Sequence, residues 1–315
     1  MDLPVRDFSA AGYRSLERIA YPMSRLDVFV GANGVGKSNL YRGLELLQAA
    51  ADNRLGAQVA AEGLAAAMWA GPRPRNRPVQ MTFGVTLDAP DRVDASLSYE
   101  VAVGFPAPTM AAFRTEPQVK TEALTYRVGD RRVRLAERDG PSVMARGEDG
   151  RPTQVDLDLL PSETMLGRLE DPARYPALDQ VRRTLLSWRF YHDLRTDAAS
   201  PLRRPCVAVA TPTLASDGSD LAAVFATLAH IRGDTRDLDA LVADTFPGAR
   251  LIIPEPDGLA SFGMTFPDFP QRVFQAPELS DGTLRFLALA GALMAYRLPP
   301  FIALNEPESS LHPDL

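Results

Sequence analysis

A glycine-rich run at residues 31–38, Gly-Ala-Asn-Gly-Val-Gly-Lys-Ser, separates an apolar segment from an amphipathic one. Backbone N–H groups of such a loop point at phosphate oxygens, and a side chain at Gly36 would obstruct that approach. At this spacing Lys37 reaches the β- and γ-phosphates, and the Ser38 hydroxyl ligates Mg²⁺. The pattern predicts a P-loop that binds ATP; the alternative is a glycine-rich turn that binds nothing.

The segments on either side of the loop supply the context that the motif requires. Residues 26–30 are mostly apolar and predict a buried strand that leads into the loop. Over residues 37–51, Leu40, Gly43 and Leu47 recur at helical spacing, as expected of a helix that lies on a sheet. A P-loop joins a strand to a helix in this way.

The charge and cysteine content limit the partners and the compartment. With 34 basic and 40 acidic residues the net charge is −6, so contact with nucleic acid would need a local basic patch. Cys206 is the single cysteine and cannot form an internal disulfide. The opening residues lack the apolar run of a signal peptide, and no segment approaches the length of a membrane span. We expect a cytoplasmic chain that does not span a membrane.

A second polar cluster follows the apolar residues 301–304, which predict a buried strand. A P-loop needs a carboxylate at the end of a neighbouring strand, to organise Mg²⁺ and the attacking water. Glu306 is placed to be the general base, and Asn305 stands where an aspartate usually contacts the Mg²⁺ shell. An amide adds no negative charge, so we expect weaker Mg²⁺ binding. The alternative is a strand whose end happens to be polar.

Residues 279–283, Leu-Ser-Asp-Gly-Thr, open a predicted helix over residues 283–297. A serine, a glycine and the amides of a helix start can bind an anion. Taken alone, Ser-Asp-Gly also forms an ordinary helix cap.

Between these motifs the pattern of apolar and polar residues changes after residue 71. Alternating apolar residues predict antiparallel strands, and a polar, glycine-rich stretch at 139–161 predicts a long loop. Helical spacing and further short strands follow. The predicted strands are 5–11, a second within 12–20, 79–87, 95–103, 123–128, 132–135, 249–253, 261–266 and 272–276; the predicted helices are 178–191, 219–231 and 236–245.

Together, residues 12–16, 31–39, 279–283 and 305–313 resemble the ABC-type ATPase head of RecF, SMC and OLD-like proteins, and in particular bacterial AAA-family predicted ATPases. The resemblance covers roughly the first 50 and last 40 residues. It implies an α/β P-loop NTPase head with a mixed β-sheet, plus an inserted antiparallel-β and helical lobe. The head would comprise residues 1–70 and 271–315, and the lobe residues 71–270.

In that family two heads sandwich two ATP molecules, so the resemblance implies a homodimer. Each P-loop faces the signature of the other subunit, and residues 309–313 would form the D-loop across the interface. The cofactors would be ATP and Mg²⁺. The candidate residues are Glu306 for catalysis; Gly31, Asn33, Gly34, Val35, Gly36, Lys37, Ser38, Asn39, Arg14, Ser280, Asp281 and Gly282 for nucleotide binding; and Ser38 and Asn305 for the metal.

Two departures from the family pattern bear on activity. Asn305 replaces the usual aspartate, and the sequence stops at residue 315, before the histidine that senses the γ-phosphate; His312 belongs to the D-loop. We therefore expect ATP binding to be better developed than hydrolysis. Gln80 is a candidate for the Q-loop, although on a strand it could equally face solvent.

The leading functional hypothesis is an ATP-driven dimeric switch in DNA maintenance, repair or anti-phage defence. The alternative is a non-hydrolysing ATP-binding module that controls a partner nuclease or toxin. A small-molecule kinase is disfavoured because neither a lid nor an acceptor pocket can be identified. The candidate DNA contacts are arginines, and the competing explanation is that they form a solvated face that binds nothing. These arginines are Arg182, Arg183, Arg189, Arg195, Arg203 and Arg204.

Overall fold

The computed structural model describes residues 3–32, 34–72, 78–89, 92–107, 113–147, 150–192 and 194–308. The chain divides into two compact units, Met1–Trp188 and Arg189–Leu315, and each is described by itself. The predicted head and lobe follow the motifs, whereas these units follow the contacts within the chain. The predicted domain boundaries therefore stay a prediction.

In the described part of the first unit, eight strands form one antiparallel sheet in the order β2-β1-β3-β4-β5-β6-β7-β8. Alternating apolar residues place one face of the central strands against the helices. The strands are β1 (Val5–Tyr13), β2 (Leu16–Pro22), β3 (Gln80–Asp88), β4 (Ala95–Gly104), β5 (Gln118–Val128), β6 (Arg131–Asp139), β7 (Ser142–Arg146) and β8 (Pro152–Gln154).

The predicted loop at 139–161 is wrong in part, because β7 and β8 lie within it. Gly140 has φ 56° and turns the chain between β6 and β7. Val143 and Ala145 alternate on β7, and both are buried. That short alternation was the signal for a strand, but the polar and glycine-rich surroundings hid it.

Helices cover part of this sheet. They are α1 (Lys37–Ala51), α2 (Leu55–Glu62), α3 (Leu64–Ala67), α4 (Met165–Arg168) and α5 (Pro176–Ser187). The helix predicted over 37–51 is confirmed by α1. A Cβ at Gly43 would lie 2.8 Å from the Phe8 ring, so glycine lets α1 approach β1 closely. The helix predicted over 178–191 ends earlier, at Ser187.

The buried strand predicted at residues 26–30 is wrong: the segment has no strand conformation, and Leu26, Val28 and Val30 are 82%, 76% and 90% exposed. Two observations explain the local path. The Asp27 carboxylate accepts from the Ser24 backbone N–H at 2.8 Å and so favours a turn over an extended chain. Among the described residues no strand pairs with this segment, and an unpaired segment cannot form a ladder.

The described part of the second unit is built from short strands around one long helix. A parallel pair is formed by β9 (Arg189–Tyr191) and β15 (Ile302–Leu304). The antiparallel elements are β10 (Cys206–Val207) with β12 (Leu259–Ala260), and β11 (Arg250–Ile252), β13 (Gly263–Phe266) and β14 (Phe269–Gln275) in the order β11-β13-β14. The helices are α6 (Leu221–Ala226), α7 (Arg236–Thr245) and α8 (Asp281–Met294).

The predicted elements of this unit are largely confirmed, with shifted ends. The helix predicted over 219–231 becomes α6 followed by a π-helical segment, Thr227–Arg232. The Thr227 hydroxyl donates to the Ala223 carbonyl at 2.7 Å, a side-chain bond that competes with the regular helical pattern. The core lies around α8, where Leu284, Leu287 and Ala288 are fully buried.

Candidate functional site

The candidate P-loop, residues 31–38 of the first unit, has two glycines in the left-handed region of backbone space. Gly34 has φ 84°, and Gly36, which precedes α1, has φ 103°. Residues with a Cβ rarely adopt such angles. A Cβ at Gly36 would also lie 2.6 Å from Ser15 Oγ, so a side chain there would displace the Ser15 hydroxyl.

The Lys37 side chain folds back over the loop. Its ammonium group donates to the carbonyl oxygens of Gly31 at 2.5 Å and Ala32 at 3.1 Å. The loop residues Gly31, Ala32, Gly34 and Val35 are exposed. The cation is therefore held at the open loop by neutral acceptors, and phosphate oxygens are stronger acceptors for an ammonium group.

Ser15 and Asn39 join the β1–β2 turn to the first turn of α1. The Asn39 side-chain amide donates to Ser15 Oγ at 2.7 Å. Our sequence reasoning did not single out Ser15, although it lies within the quoted run 12–16. Its role depends on the position of Gly36, which is 21 residues further along the chain, so no local pattern reveals it.

Arg14 does not extend freely from this turn. Its guanidinium pairs with the Glu62 carboxylate at 2.6 Å, and Glu62 also accepts from the Tyr13 hydroxyl at 3.0 Å. A contact between Arg14 and nucleotide would have to compete with this pair, and it stays a prediction. Gln80 is the first residue of β3 and is half-buried, and its role also stays a prediction.

The signature-like residues stand at the start of α8 in the second unit. Ser280 is the N-cap, and its Oγ accepts from the Thr283 backbone N–H at 3.1 Å. Ser280 and Asp281 are exposed and Gly282 is half-buried, while Leu279 and Thr283 on either side are buried. The buried neighbours anchor the segment, and its polar centre faces outward.

Arg203 holds this segment from one side. It donates to the carbonyl oxygens of Pro277 at 3.0 Å and Leu279 at 2.8 Å, and its guanidinium pairs with Asp281 at 2.6 Å. From the sequence, Arg203 is a candidate DNA contact, with a solvated arginine face as the alternative. Arg182, Arg183, Arg195 and Arg203 are all engaged with carboxylates, so these four are not a free basic patch.

The end of β15 carries the candidate catalytic residues. The Asn305 backbone N–H donates to the Tyr191 carbonyl at 3.1 Å and so continues the pairing of β9 with β15. Glu306 has φ 49°, which is unusual for a residue with a side chain, and its carboxylate is exposed. Backbone strain of this kind is often found at functional sites.

A buried arginine supports that strained residue. Arg285, on α8, donates to the Glu306 carbonyl at 3.2 Å and to the Leu194 carbonyl at 2.9 Å. Sequence reasoning missed Arg285. The only signal for it was a charged residue on the apolar face of the predicted helix.

Several predicted site residues cannot be brought together from these observations. Asn33 and residues 309–313 lie outside the described residues. The P-loop residues and Arg14 belong to the first unit, and the signature residues, Asn305 and Glu306 belong to the second. Their assembly into one site stays a prediction.

Comparison with known proteins supports the fold. A family model described as "AAA domain, putative AbiEii toxin, Type IV TA system" matches residues 169–315, just under half of the chain. The comparison with curated proteins finds no match. An SMC head bound to the C-winged helix domain of ScpA is 15% identical over 98% of this chain and 82% of its own, with a TM-score of 0.50.

The chain has the fold of an SMC-type ATPase head. An SMC head from Pyrococcus furiosus, with an extended coiled coil and bound to the C-terminal domain of ScpA, is 14% identical over 98% of this chain and 83% of its own, with a TM-score of 0.47. The family match and the fold support an ABC/AAA-type ATPase head. The finer likeness to RecF and OLD-like proteins stays a prediction.

In this head the residues that could hold a nucleotide are those of the P-loop. The fit rests on the exposed loop, on its two left-handed glycines and on an ammonium group whose acceptors can be exchanged for phosphate. Ser38 is exposed in the first turn of α1, where its hydroxyl could ligate Mg²⁺ beside bound phosphates. No described helix of this SMC-type head is both long and apolar enough to cross a membrane.

Proposed function

We propose that this chain binds ATP with Mg²⁺ at residues 31–38 and acts as the head of a dimeric switch. The observation that carries the proposal is the conformation of the P-loop, with Gly36 in left-handed backbone space and Lys37 folded over the loop. In the proposed complex the β- and γ-phosphates replace the Gly31 and Ala32 carbonyls as acceptors for Lys37. The N–H groups at the start of α1 and the helix dipole add to the attraction.

In the proposed dimer, a second copy of the chain contributes the start of its α8 to the nucleotide site. Ser280 and Gly282 lie at the outward-facing start of a helix of 14 residues, anchored by buried neighbours. We place the γ-phosphate bound by Lys37 of one copy against Ser280 and Gly282 of the other. Each copy then completes the site of its partner, and ATP is needed for the two to close.

Glu306 is the proposed general base. Its carboxylate is exposed at the end of β15, where it could accept a proton from the attacking water. Asn305 would contact the Mg²⁺ shell through its amide oxygen. Because an amide contributes no negative charge, we expect a higher Mg²⁺ requirement than an aspartate would give.

Nucleotide binding is tested with a fluorescent ATP analogue and the variant Lys37→Ala. We expect affinity to fall about a hundredfold, since charge-assisted bonds to phosphate are lost. The matched control is Lys120→Ala, which removes the chain's other lysine from β5 and should leave affinity unchanged. Equal affinities of wild type and Lys37→Ala would refute P-loop binding.

The switch is tested by light scattering on the full chain carrying Glu306→Gln, with Mg²⁺ and either ATP or ADP. We expect the mass to double with ATP and to remain that of a monomer with ADP. A monomer under both conditions, with nucleotide binding intact, would refute the dimeric switch and leave ATP binding in place.

The second candidate is a non-hydrolysing ATP-binding module that controls a partner nuclease or toxin. Asn305 favours it, and the matched family model carries the description of a putative toxin of a toxin–antitoxin system. Steady-state phosphate release separates the two candidates. Turnover that Glu306→Gln abolishes would exclude the passive module, and ATP binding without turnover in wild type would favour it.

We place the switch in DNA maintenance, repair or anti-phage defence, with DNA as the further partner. The ion-paired arginines give this process no support of their own. The test is the affinity of the full chain for duplex DNA with and without ATP, over a range of salt concentrations. An ATP-independent affinity with a shallow salt dependence would exclude a DNA-directed switch.

A further inference from the structure

Arg203 makes more bonds than an ordinary surface arginine. Its side chain is only 13% exposed, and every donor nitrogen of the guanidinium has an acceptor. Nε donates to the Thr196 carbonyl at 2.8 Å, Nη1 donates to the carbonyls of Pro277 and Leu279, and Nη2 donates to Asp281. A planar fork suits such a set of fixed acceptors, and a lysine could not satisfy it.

Three of these four acceptors lie at or just before the start of α8. The Pro277 and Leu279 carbonyls and the Asp281 carboxylate bracket Ser280, the residue that caps the helix. Ser280 thus lies between a backbone carbonyl, that of Leu279, and a side-chain carboxylate, that of Asp281, which are both held by Arg203, and this limits the freedom of its backbone. Arg203 therefore fixes where the Ser280 hydroxyl and the first N–H groups of α8 point.

The pairing with Asp281 also matters for charge. A carboxylate in the first turn stabilises a helix but repels an anion that approaches the same N-terminus. Asp281 is exposed, and it stands beside the residues proposed to receive the γ-phosphate of a second copy. The guanidinium of Arg203 neutralises that carboxylate and holds it to one side.

We propose that Arg203 is a positioning residue for the signature segment 279–283: it presents Ser280 and Gly282 to the ATP of a second copy and suppresses the repulsion from Asp281. This inference rests on the proposed dimeric switch. Arg203 acts only on the receiving side of the interface. It leaves the binding of ATP to the P-loop of the same copy unaffected.

The experiment measures two quantities on the full chain with Mg²⁺ and a non-hydrolysable ATP analogue. One is the affinity of the monomer for a fluorescent form of the analogue, and the other is the dimerisation constant from sedimentation. For Arg203→Ala we expect dimerisation to weaken about tenfold while nucleotide affinity stays within about twofold of wild type. Arg236→Ala is the matched control, because it removes an exposed arginine that is also paired with an aspartate, Asp234.

Two further variants separate the roles of position and charge. The double variant Arg203→Ala with Asp281→Ala removes the repelling carboxylate as well, so it should dimerise more tightly than Arg203→Ala alone. Arg203→Lys keeps the charge and loses the fork, so it should lie between wild type and Arg203→Ala. It also carries the test if the alanine variant proves unfolded by circular dichroism.

The outcomes distinguish this inference from the proposal beneath it. If wild type does not dimerise with the analogue, the dimeric switch fails. If wild type dimerises and the Arg203 variants match Arg236→Ala, the switch stands and the role of Arg203 is overturned. If Arg203→Ala weakens nucleotide affinity and dimerisation equally, the positioning role is refuted. If the double variant dimerises no more tightly than Arg203→Ala, the role of charge is refuted.

Discussion

Replacing Gly36 by alanine would reveal two separate costs of a side chain in the P-loop. The backbone at Gly36 has φ 103°, and left-handed angles disfavour a residue with a Cβ by about 1–2 kcal/mol. The new Cβ would also lie 2.6 Å from the exposed Ser15 Oγ, so it would displace that hydroxyl and lose its hydrogen bond from Asn39, at a cost of about 0.5–1.5 kcal/mol. We expect Gly36→Ala to lower the free energy of unfolding by about 1.5–3.5 kcal/mol, the sum of the two.

Two matched comparisons, one with a variant at Gly34 and one in a Ser15→Ala background, separate the two costs. Gly34 has φ 84°, and no described atom lies within 4 Å of where its Cβ would be, so Gly34→Ala should incur the backbone cost alone. In a Ser15→Ala background the nearest atoms to the Gly36 Cβ would be at 3.8 Å, an ordinary contact. The cost of Gly36→Ala should therefore fall by about 0.5–1.5 kcal/mol in that background, where the bond from Asn39 is already absent.

Urea unfolding of wild type, the two single variants and the double variant provides this cycle. Because Ser15→Ala also loses the bond from Asn39, the comparison must use all four chains. If Gly36→Ala costs the same with and without the Ser15 hydroxyl, the close contact between loop and turn does not determine the residue. A cost of Gly34→Ala equal to that of Gly36→Ala would lead to the same conclusion.

Three further variants test the packing and the buried charges. Gly43→Ala should destabilise the fold by about 1–2 kcal/mol despite the better helix propensity of alanine, because its Cβ would meet the Phe8 ring at 2.8 Å. Urea unfolding measures this change, and a stabilised variant would contradict the prediction. Burial raises the pKa of Glu122, so its contribution to stability is complete below its ordinary pKa of 4.5 and is lost as the pH rises through the folded value. Unfolding at about pH 4 and pH 7 should therefore show Glu122→Gln gaining on wild type as the pH rises, and a constant difference would refute this. Arg285→Met should lower the free energy of unfolding by about 2–4 kcal/mol, since it removes the bonds to the Leu194 and Glu306 carbonyls. It should also lower the rate of phosphate release while nucleotide binding is retained.

The elements that were predicted well from the sequence are those whose signal is local. The bounds of α1 follow from the glycines before it and from leucines at helical spacing, and the structure has the helix at Lys37–Ala51 as predicted. The strand before the loop was predicted from apolar composition alone. A strand also requires a partner, and the Asp27 carboxylate turns the chain at that point, which apolar composition does not reveal.

In the candidate site, too, the sequence predicts the residues with a local signal and misses those without one. The motifs could be found because phosphate binding needs particular residues at short, fixed spacings. The residues that hold the motifs in place are distant along the chain and have no fixed spacing. Asn39 meets Ser15 across 24 residues, Asp281 meets Arg203 across 78, and Glu306 meets Arg285 across 21. Only folding brings these pairs together.

Asn39, the Leu279 carbonyl beside Ser280, and Glu306 are each held by a residue outside their own motif: Ser15, Arg203 and Arg285 respectively. A chain that keeps all three motifs and loses one of these supports would retain the chemistry but misplace it. Because a displacement of about 1 Å can cost a hundredfold in rate, such a loss would act on the proposed site much as the loss of a motif residue would.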